Sequence, residues 1–222
     1  MDRQVLHTLF EDELTKKRTH RCTEQDNYCE EAKFLSRLFA IFSEGIVRIW
    51  GESEQSKYKG SLGRPTIYTY KNKRYTLDFT FEDQAGKIYI VEMKAELQYE
   101  KFKYMVLKNR SEEPKVDFLN HHLKKEAFKL FINPNSSEVR EIKVNGESKK
   151  VDGSILIWGS ISKNFNLDLF NKEENIQLHD ILSVENMIDD LIASENKEYF
   201  EFVGKYRQWS GRLFDTLTGK VT

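Results

Sequence analysis

The sequence predicts an α/β protein in which a mixed central β-sheet is flanked by helices, with extra helices at both ends of the chain. Segments 75–81 and 87–95 are rich in β-branched and aromatic residues and alternate apolar with other residues, which is typical of strands. Segment 153–159 is an apolar run between two glycines, which indicates a buried strand. Apolar residues at helical spacing predict helices over 5–14, 28–44, 116–131, 179–193 and 196–217.

The connections between these elements follow from turn residues. Gly45 is predicted to end the second helix, so that 46–50 forms a short strand. The polar stretch 51–65 contains three glycines and is expected to be a flexible loop. Strands are also predicted over 66–70 and 139–144, and Asn145-Gly146 predicts a hairpin turn after the second of these.

Length and composition indicate one folded domain over 1–222, with a core over about 28–160 and a C-terminal helical extension over about 161–222. The chain has 222 residues, of which 39% are hydrophobic and 32% are charged. No apolar run is long enough to span a membrane, the N-terminus does not resemble a signal peptide, and two cysteines cannot form a disulfide framework. We therefore expect a cytoplasmic protein without membrane association.

The hairpin formed by 75–81 and 87–95 carries the candidate site. The odd-numbered side chains are apolar and are predicted to enter the core: Leu77, Phe79, Phe81, Tyr89, Val91 and Met93. Asp78, Glu92 and Lys94 lie on the opposite face, at one end of the hairpin. Other Glu-x-Lys triplets occur in the chain, but this one ends an apolar strand that follows an aspartate-bearing apolar strand. The alternative is a polar hairpin edge with an ordinary Glu–Lys pair.

The register of the hairpin decides whether the two acids meet. If Glu82 pairs with Ile88, Asp78 lies opposite Glu92; a shift by two residues places Asp78 opposite Ile90 and diagonal to Glu92. Directly opposed residues have Cα atoms about 4.5–5.5 Å apart. Carboxylates this close repel each other unless a cation or a proton lies between them. Mg²⁺ commonly takes one or two carboxylates together with water and a substrate phosphate.

These residues resemble the PD-(D/E)xK nuclease superfamily, whose members have a restriction-endonuclease-like fold. The resemblance covers Asp78, Glu92, Lys94 and the order of the surrounding elements, although Leu77 stands where the motif has proline. It implies a metal-dependent endonuclease in which Asp78, Glu92 and the backbone carbonyl of Met93 bind Mg²⁺, with Mn²⁺ able to substitute. It also implies that Lys94 orients or helps to deprotonate the attacking water.

The same resemblance suggests a further acid on the first core helix. Residues 31–38 resemble the opening helix of archaeal Holliday-junction resolvases of this fold, which makes Glu31 the candidate, with Glu44 as a second choice. A solvated glutamate favoured by the helix dipole is the alternative. Glu96 extends the strand beyond Lys94 and is either exposed or available to a second metal ion.

The resemblance implies double-stranded DNA as the partner, and the distribution of charge is compatible with it; ordinary solvated faces are the alternative. The whole chain carries a net charge of −1, but residues 52–150 carry 20 basic and 15 acidic side chains. The candidate DNA-contacting residues are Lys57, Lys59, Arg64, Lys101 and Lys103. The basic and aromatic stretch 97–110 can track a phosphate backbone or form an amphipathic helix.

Several functions fit these patterns. A type II-like restriction endonuclease that cuts DNA to 5′-phosphate and 3′-hydroxyl ends fits best, as a homodimer if its DNA site is palindromic. A Holliday-junction resolvase, another defence or mobile-element nuclease, and a catalytically silent nucleic-acid-binding member of the fold are the alternatives. Lys94 disfavours a two-carboxylate glycoside hydrolase.

Overall fold

A computed structural model describes residues 26–60, 62–95, 97–98, 103–104, 106–109 and 121–219. The chain divides into two compact units, residues 1–38 and residues 39–222. In the first unit the described residues, 26–38, are helical. The single nuclease domain expected over 1–222 stays a prediction. The first predicted helix, over 5–14, lies outside the described residues.

The described elements alternate between helices and strands. The helices are α1 (Asp26–Gly51), α2 (Glu126–Ile132), α3 (Leu167–Glu174), α4 (Val184–Ala193) and α5 (Lys197–Leu217). The strands are β1 (Tyr58–Lys59), β2 (Pro65–Thr69), β3 (Arg74–Thr76), β4 (Phe79–Asp83), β5 (Ile88–Lys94), β6 (Leu97–Gln98), β7 (Lys103–Tyr104), β8 (Val106–Leu107), β9 (Val139–Val144), β10 (Glu147–Ser148), β11 (Gly153–Trp158), β12 (Ser160–Ile161) and β13 (Asp180–Ser183).

The central sheet has five strands in the order β1-β4-β5-β11-β13. β1, β4 and β5 are antiparallel neighbours, whereas β5, β11 and β13 run parallel to one another. A mixed sheet with helices in an α/β protein is therefore confirmed. A second sheet, in the order β10-β9-β2-β3, contains the predicted hairpin at Asn145-Gly146, where both residues have positive φ angles.

Apolar clusters cover both faces of the central sheet. On one face, the strand residues Phe81 and Val91 pack with Ile46 of α1 and with residues of α4 and α5. On the other face, Ile90 and Trp158 pack with residues of α2, α3 and the second sheet. Burial on both faces explains why β11 reads as a continuous apolar run rather than an alternating one.

α1 continues beyond the glycine that was predicted to end it, so the predicted strand over 46–50 is wrong. A Cβ atom at Gly45 would overlap the ring of Phe202 in α5. Ile46, Val47 and Ile49 are buried in the first cluster at helical spacing. Gly45 is thus a point of close approach between two helices rather than a helix end.

Three other predictions need correction. Residues 57–59 of the expected flexible loop contain β1, an edge strand of the central sheet, and Tyr58 is buried. The described parts of 97–110 form short strands instead of an amphipathic helix. The region after 160 is not only helical, because β13 adds a parallel strand next to β11. The predicted helix over 116–131 lies partly outside the described residues; residues 121–123 and α2 are helical.

Within the described part of the chain, none of the helices combines the length and the hydropathy that a membrane crossing requires.

Candidate metal and nucleic-acid site

The register of the hairpin brings the two candidate acids to the same point. β4 and β5 pair in the first of the two predicted registers, with Glu82 opposite Ile88 and Phe79 opposite Val91. The regular pairing ends at Phe79, because the Asp78 N–H donates to the carbonyl of Val91, the partner of Phe79, at 3.2 Å; Asp78 therefore lies beside Val91, one residue from Glu92. The alternation of apolar residues fixes the register, because a one-residue slip would turn the buried rings towards the wrong face.

Asp78 lies in a bend just before β4 begins, and its contacts fix the direction of its carboxylate. Its backbone N–H donates to the Val91 carbonyl at 3.2 Å, and its Oδ2 accepts from the Met93 N–H at 2.8 Å. Because the chain bends here, Leu77 packs with Ile90 in the second cluster. The prediction that Leu77 shares a face with Phe79 is therefore wrong. The bend turns the Asp78 carboxylate towards the end of β5.

Glu92 and Lys94 form a close pair at the end of β5. The Lys94 ammonium donates to Glu92 Oε1 and also lies 3.3 Å from the Met93 carbonyl oxygen. The side chains of Asp78, Glu92 and Lys94 are 20%, 16% and 20% exposed, respectively. All three are therefore largely withdrawn from water, which strengthens the interactions between their charges.

The pKa of Glu92 is raised above the usual value of a glutamate. Burial is the largest cause, and the neighbouring charge and hydrogen bonding of Asp78 add to it. The positive charge of Lys94 acts in the opposite direction and does not fully offset them. The two carboxyl groups thus lie near enough for Asp78 to act on Glu92, and the site disfavours two negative charges without an additional cation or proton.

The donor atoms fit a small divalent cation of the kind that keeps several water ligands. Asp78 and Glu92 supply carboxylate oxygens, and the carbonyl of Met93, which directly follows Glu92 in sequence, lies beside Lys94 in space. Among the described residues there is no group of three or more His, Cys, Asp or Glu side chains that could hold a metal ion. This set is too small for a cage built from protein alone, but it matches the one or two carboxylates that Mg²⁺ commonly uses beside water and phosphate.

Of the remaining candidate acids, only Glu44 has a described side chain. Glu31 lies in α1, within the unit of residues 1–38, and its side chain is outside the described residues. Glu44 is exposed on α1. Glu96 also lies outside the described residues. A contribution of Glu31 to the site stays a prediction.

The candidate DNA-contacting residues separate into two places. Lys57 and Lys59 flank or form β1, which pairs with the far end of β4 from Asp78. Their ammonium groups are bound to acids there: Lys57 lies 2.6 Å from Asp180, and Lys59 lies 3.4 Å from Glu82. That end of β4 is about five residues, or roughly 17 Å, from Asp78.

Arg64, in contrast, lies at the site itself. Its Nε donates to the Leu77 carbonyl at 3.2 Å, and its guanidinium lies 3.6 Å from Asp78 Oδ1. Lys101 lies outside the described residues, and Lys103 is in β7 but its side chain is not among those described. Whether these lysines contact DNA stays a prediction.

A small pocket beside the acid–lysine pair contains two residues that sequence reasoning did not assign to the site. The cavity has a volume of about 90 Å³. Glu92 and Lys94 line it together with His122 and Lys125, and Leu77 and apolar residues of α2 line the rest. His122 is buried, and its Nδ1 lies 3.5 Å from the Lys125 ammonium. No local pattern could have found these residues, because they follow β5 by about thirty positions.

Protein-family models, curated proteins and solved structures were compared with the chain, and none of them matched it.

Proposed function

We propose that the protein is a Mg²⁺-dependent endodeoxyribonuclease with a restriction-endonuclease-like core, acting on double-stranded DNA. The meeting of Asp78 and Glu92 at the end of β5, where Asp78 accepts from the Met93 N–H at 2.8 Å and Lys94 is bound to Glu92, carries this proposal. Two acids and a lysine on adjacent strands, with a parallel strand beside them, match the arrangement that the resemblance implies. The positive excess of residues 52–150 supports a polyanionic substrate.

The chemistry of the site follows from its charges. A divalent cation, when bound, lowers the pKa of water and neutralises charge that develops on a phosphate. Asp78 and Glu92 would hold this cation, and the ammonium group of Lys94 would stabilise negative charge on the attacking water. Attack of the water oxygen on phosphorus breaks the bond to O3′, which takes up a proton. The ends therefore carry a 5′-phosphate and a 3′-hydroxyl.

A restriction endonuclease that acts as a homodimer on a palindromic site is the version of this proposal that we favour. Residues outside the two acids and Lys94 would then read the bases. A Holliday-junction resolvase or another defence or mobile-element nuclease would use the same three residues and would differ in the DNA shape that it selects.

Cleavage of DNA tests the proposal. Supercoiled plasmid is incubated with the protein and either Mg²⁺ or EDTA, and the ends are sequenced and tested for ligation. We expect cleavage with Mg²⁺ only, ligatable 5′-phosphate ends, and loss of cleavage in Asp78→Asn. Glu82→Gln, on the same strand but at its other end, is the matched control and should cut as wild type does. The proposed nuclease activity is refuted if the wild-type protein cuts no plasmid, junction or single-stranded DNA with either Mg²⁺ or Mn²⁺.

A second candidate is a member of the fold that binds nucleic acid without cutting it. The small donor set favours it, since the described residues offer two carboxylates where metal sites often have three or more ligands. In that case Asp78→Asn and the wild type bind DNA equally well, and neither cuts it.

A further inference from the structure

We propose that Arg64 holds the Asp78 carboxylate while no cation is bound, and that its guanidinium passes to a phosphate of the substrate once a divalent cation occupies Asp78. Arg64 would then be a catalytic residue that contacts DNA only when the metal is present. This inference rests on the proposed function and adds a role that the acid–acid–lysine set does not include.

The two oxygens of Asp78 have different partners. Oδ2 accepts the Met93 N–H at 2.8 Å, whereas Oδ1 faces the Arg64 guanidinium at 3.6 Å. Oδ1 is thus the oxygen that a cation reaches without breaking the hydrogen bond to the backbone. A cation on Oδ1 lies close to the guanidinium, and the two positive charges repel each other.

Arg64 can leave Asp78 at low cost because its side chain is 63% exposed. Water already surrounds most of the guanidinium and can solvate it once it leaves the less exposed carboxylate. The Nε bond to the Leu77 carbonyl is partly buried, so it is the contact that this movement has to exchange for water. The exposure of the Arg64 side chain keeps the cost of the movement small.

The backbone that carries Arg64 is fixed, so the side chain moves from a defined point. The Leu62 N–H donates to the Thr80 carbonyl at 2.9 Å, and the Asn145 side chain donates to the Leu62 carbonyl at 2.6 Å. Gly63 has a φ of +120°, and a Cβ atom there would overlap the Asn145 side chain. These contacts hold the segment against both sheets.

The charges at the site favour transfer of the guanidinium to a phosphate of the substrate. Asp78, Glu92, Arg64 and Lys94 together are neutral, so a bound divalent cation leaves a local charge of about +2. A phosphodiester supplies negative charge at that moment, and the planar fork of arginine binds phosphate through two parallel hydrogen bonds. The released guanidinium and the incoming phosphate are therefore complementary.

The first test measures metal binding without catalysis. Mn²⁺ is titrated calorimetrically into the wild type, Arg64→Gln and Arg140→Gln. Arg140 is the matched control, because it forms a partly exposed ion pair with Glu141 at 3.3 Å in the second sheet. We expect Arg64→Gln to bind Mn²⁺ about two- to five-fold more tightly, because a competing cation is gone, and Arg140→Gln to bind as wild type. Equal or weaker Mn²⁺ binding by Arg64→Gln overturns the proposal.

The second test measures DNA binding with Ca²⁺ in place of Mg²⁺, at several salt concentrations. We expect Arg64→Gln to lower the slope of log K against log salt by about one when Ca²⁺ is present, and to leave it unchanged in EDTA. An equal effect with and without Ca²⁺ identifies Arg64 as an ordinary DNA contact and overturns the proposal. Neither test requires cleavage, so an uncut plasmid refutes the nuclease while these binding results decide the role of Arg64.

The third test measures the cleavage rate, which should change in the opposite direction to the affinity for metal. If the protein is a nuclease, Arg64→Gln should lower kcat/KM by about 10-fold or more while it tightens metal binding, and Arg64→Lys should restore only part of the rate. A residue with a purely structural role would weaken metal binding and cleavage together.

Discussion

Replacement of Glu92 by Gln is predicted to stabilise the protein in the absence of metal and to abolish its stabilisation by Mg²⁺. Burial and the Asp78 carboxylate raise the pKa of Glu92, and Lys94 does not fully compensate. A carboxyl group whose pKa is raised by folding contributes stability that is present at low pH and is lost as the pH rises through the folded-state pKa. Gln does not titrate, so the stability that Glu92→Gln gains over wild type should be absent near pH 4 and largest at pH 8.

The magnitude follows from the charges around Glu92. Two carboxylates about 4 Å apart repel by about 4 kcal/mol at an effective dielectric constant of 20. Lys94 and Arg64 offset much of this repulsion, which leaves about 1–2 kcal/mol. In a chain of this size, 1 kcal/mol corresponds to about 2–4 °C in Tm. We therefore expect Glu92→Gln to unfold about 2–8 °C above wild type at pH 8 in EDTA.

Thermal unfolding followed by circular dichroism measures this effect between pH 4 and pH 8. Mg²⁺ at 100 times its Kd should stabilise the wild type by about 2.7 kcal/mol and the variant hardly at all. Glu82→Gln is the control, because it removes an exposed ion pair with Lys59 and should cost about 0–1 kcal/mol. The reasoning is refuted if Glu92→Gln is less stable than wild type at pH 8 in EDTA, or if its advantage does not grow with pH.

Two further predictions concern helix packing and the pocket. Gly45→Ala should lower the free energy of chemical unfolding by about 1–3 kcal/mol, because its methyl group overlaps Phe202. Gly204→Ala on α5 meets no atom and should raise that free energy by about 0.5–1 kcal/mol. Equal effects of the two variants would contradict the packing described for Gly45. Lys125→Gln removes a positive charge from the lining of the pocket that Glu92 also lines, and it should weaken DNA binding and reduce the salt slope of that binding by about one. Lys124→Gln, at an exposed neighbouring position, should change neither. Identical affinities of the two variants for DNA would show that Lys125 does not contact it.

Part of the geometry of the acid pair could be predicted from the sequence. Alternating apolar residues on both strands allow few registers, and the observed one pairs Glu82 with Ile88, which is the first of the two predicted registers. The bend at Asp78, which sets the position of its carboxylate, does not follow from the alternation. The mixed sheet could be predicted for a similar reason, since the apolar run 153–159 has the pattern of a parallel strand buried on both faces. These are properties of short segments that the sequence displays directly.

The failures arise where contacts distant in sequence decide the structure. Gly45 has the sequence pattern of a helix end, but Phe202 of α5 requires a glycine inside the helix. Leu77 changes face because the backbone bends at Asp78, whose N–H donates to the Val91 carbonyl and whose carboxylate accepts from the Met93 N–H. Arg64 reaches Asp78 through a segment that Thr80 and Asn145 hold in place. No single segment contains the information for any of these contacts.

The central claim is that the Asp78 and Glu92 carboxylates bind a divalent cation together. Anomalous diffraction from crystals of the protein soaked in Mn²⁺ tests it most directly. We expect an anomalous Mn²⁺ peak within bonding distance of one oxygen of each carboxylate, and no such peak there in crystals of Glu92→Gln. Wild-type crystals with Mn²⁺ bound at other positions, but with Asp78 still paired to Arg64 and Glu92 to Lys94, would contradict it.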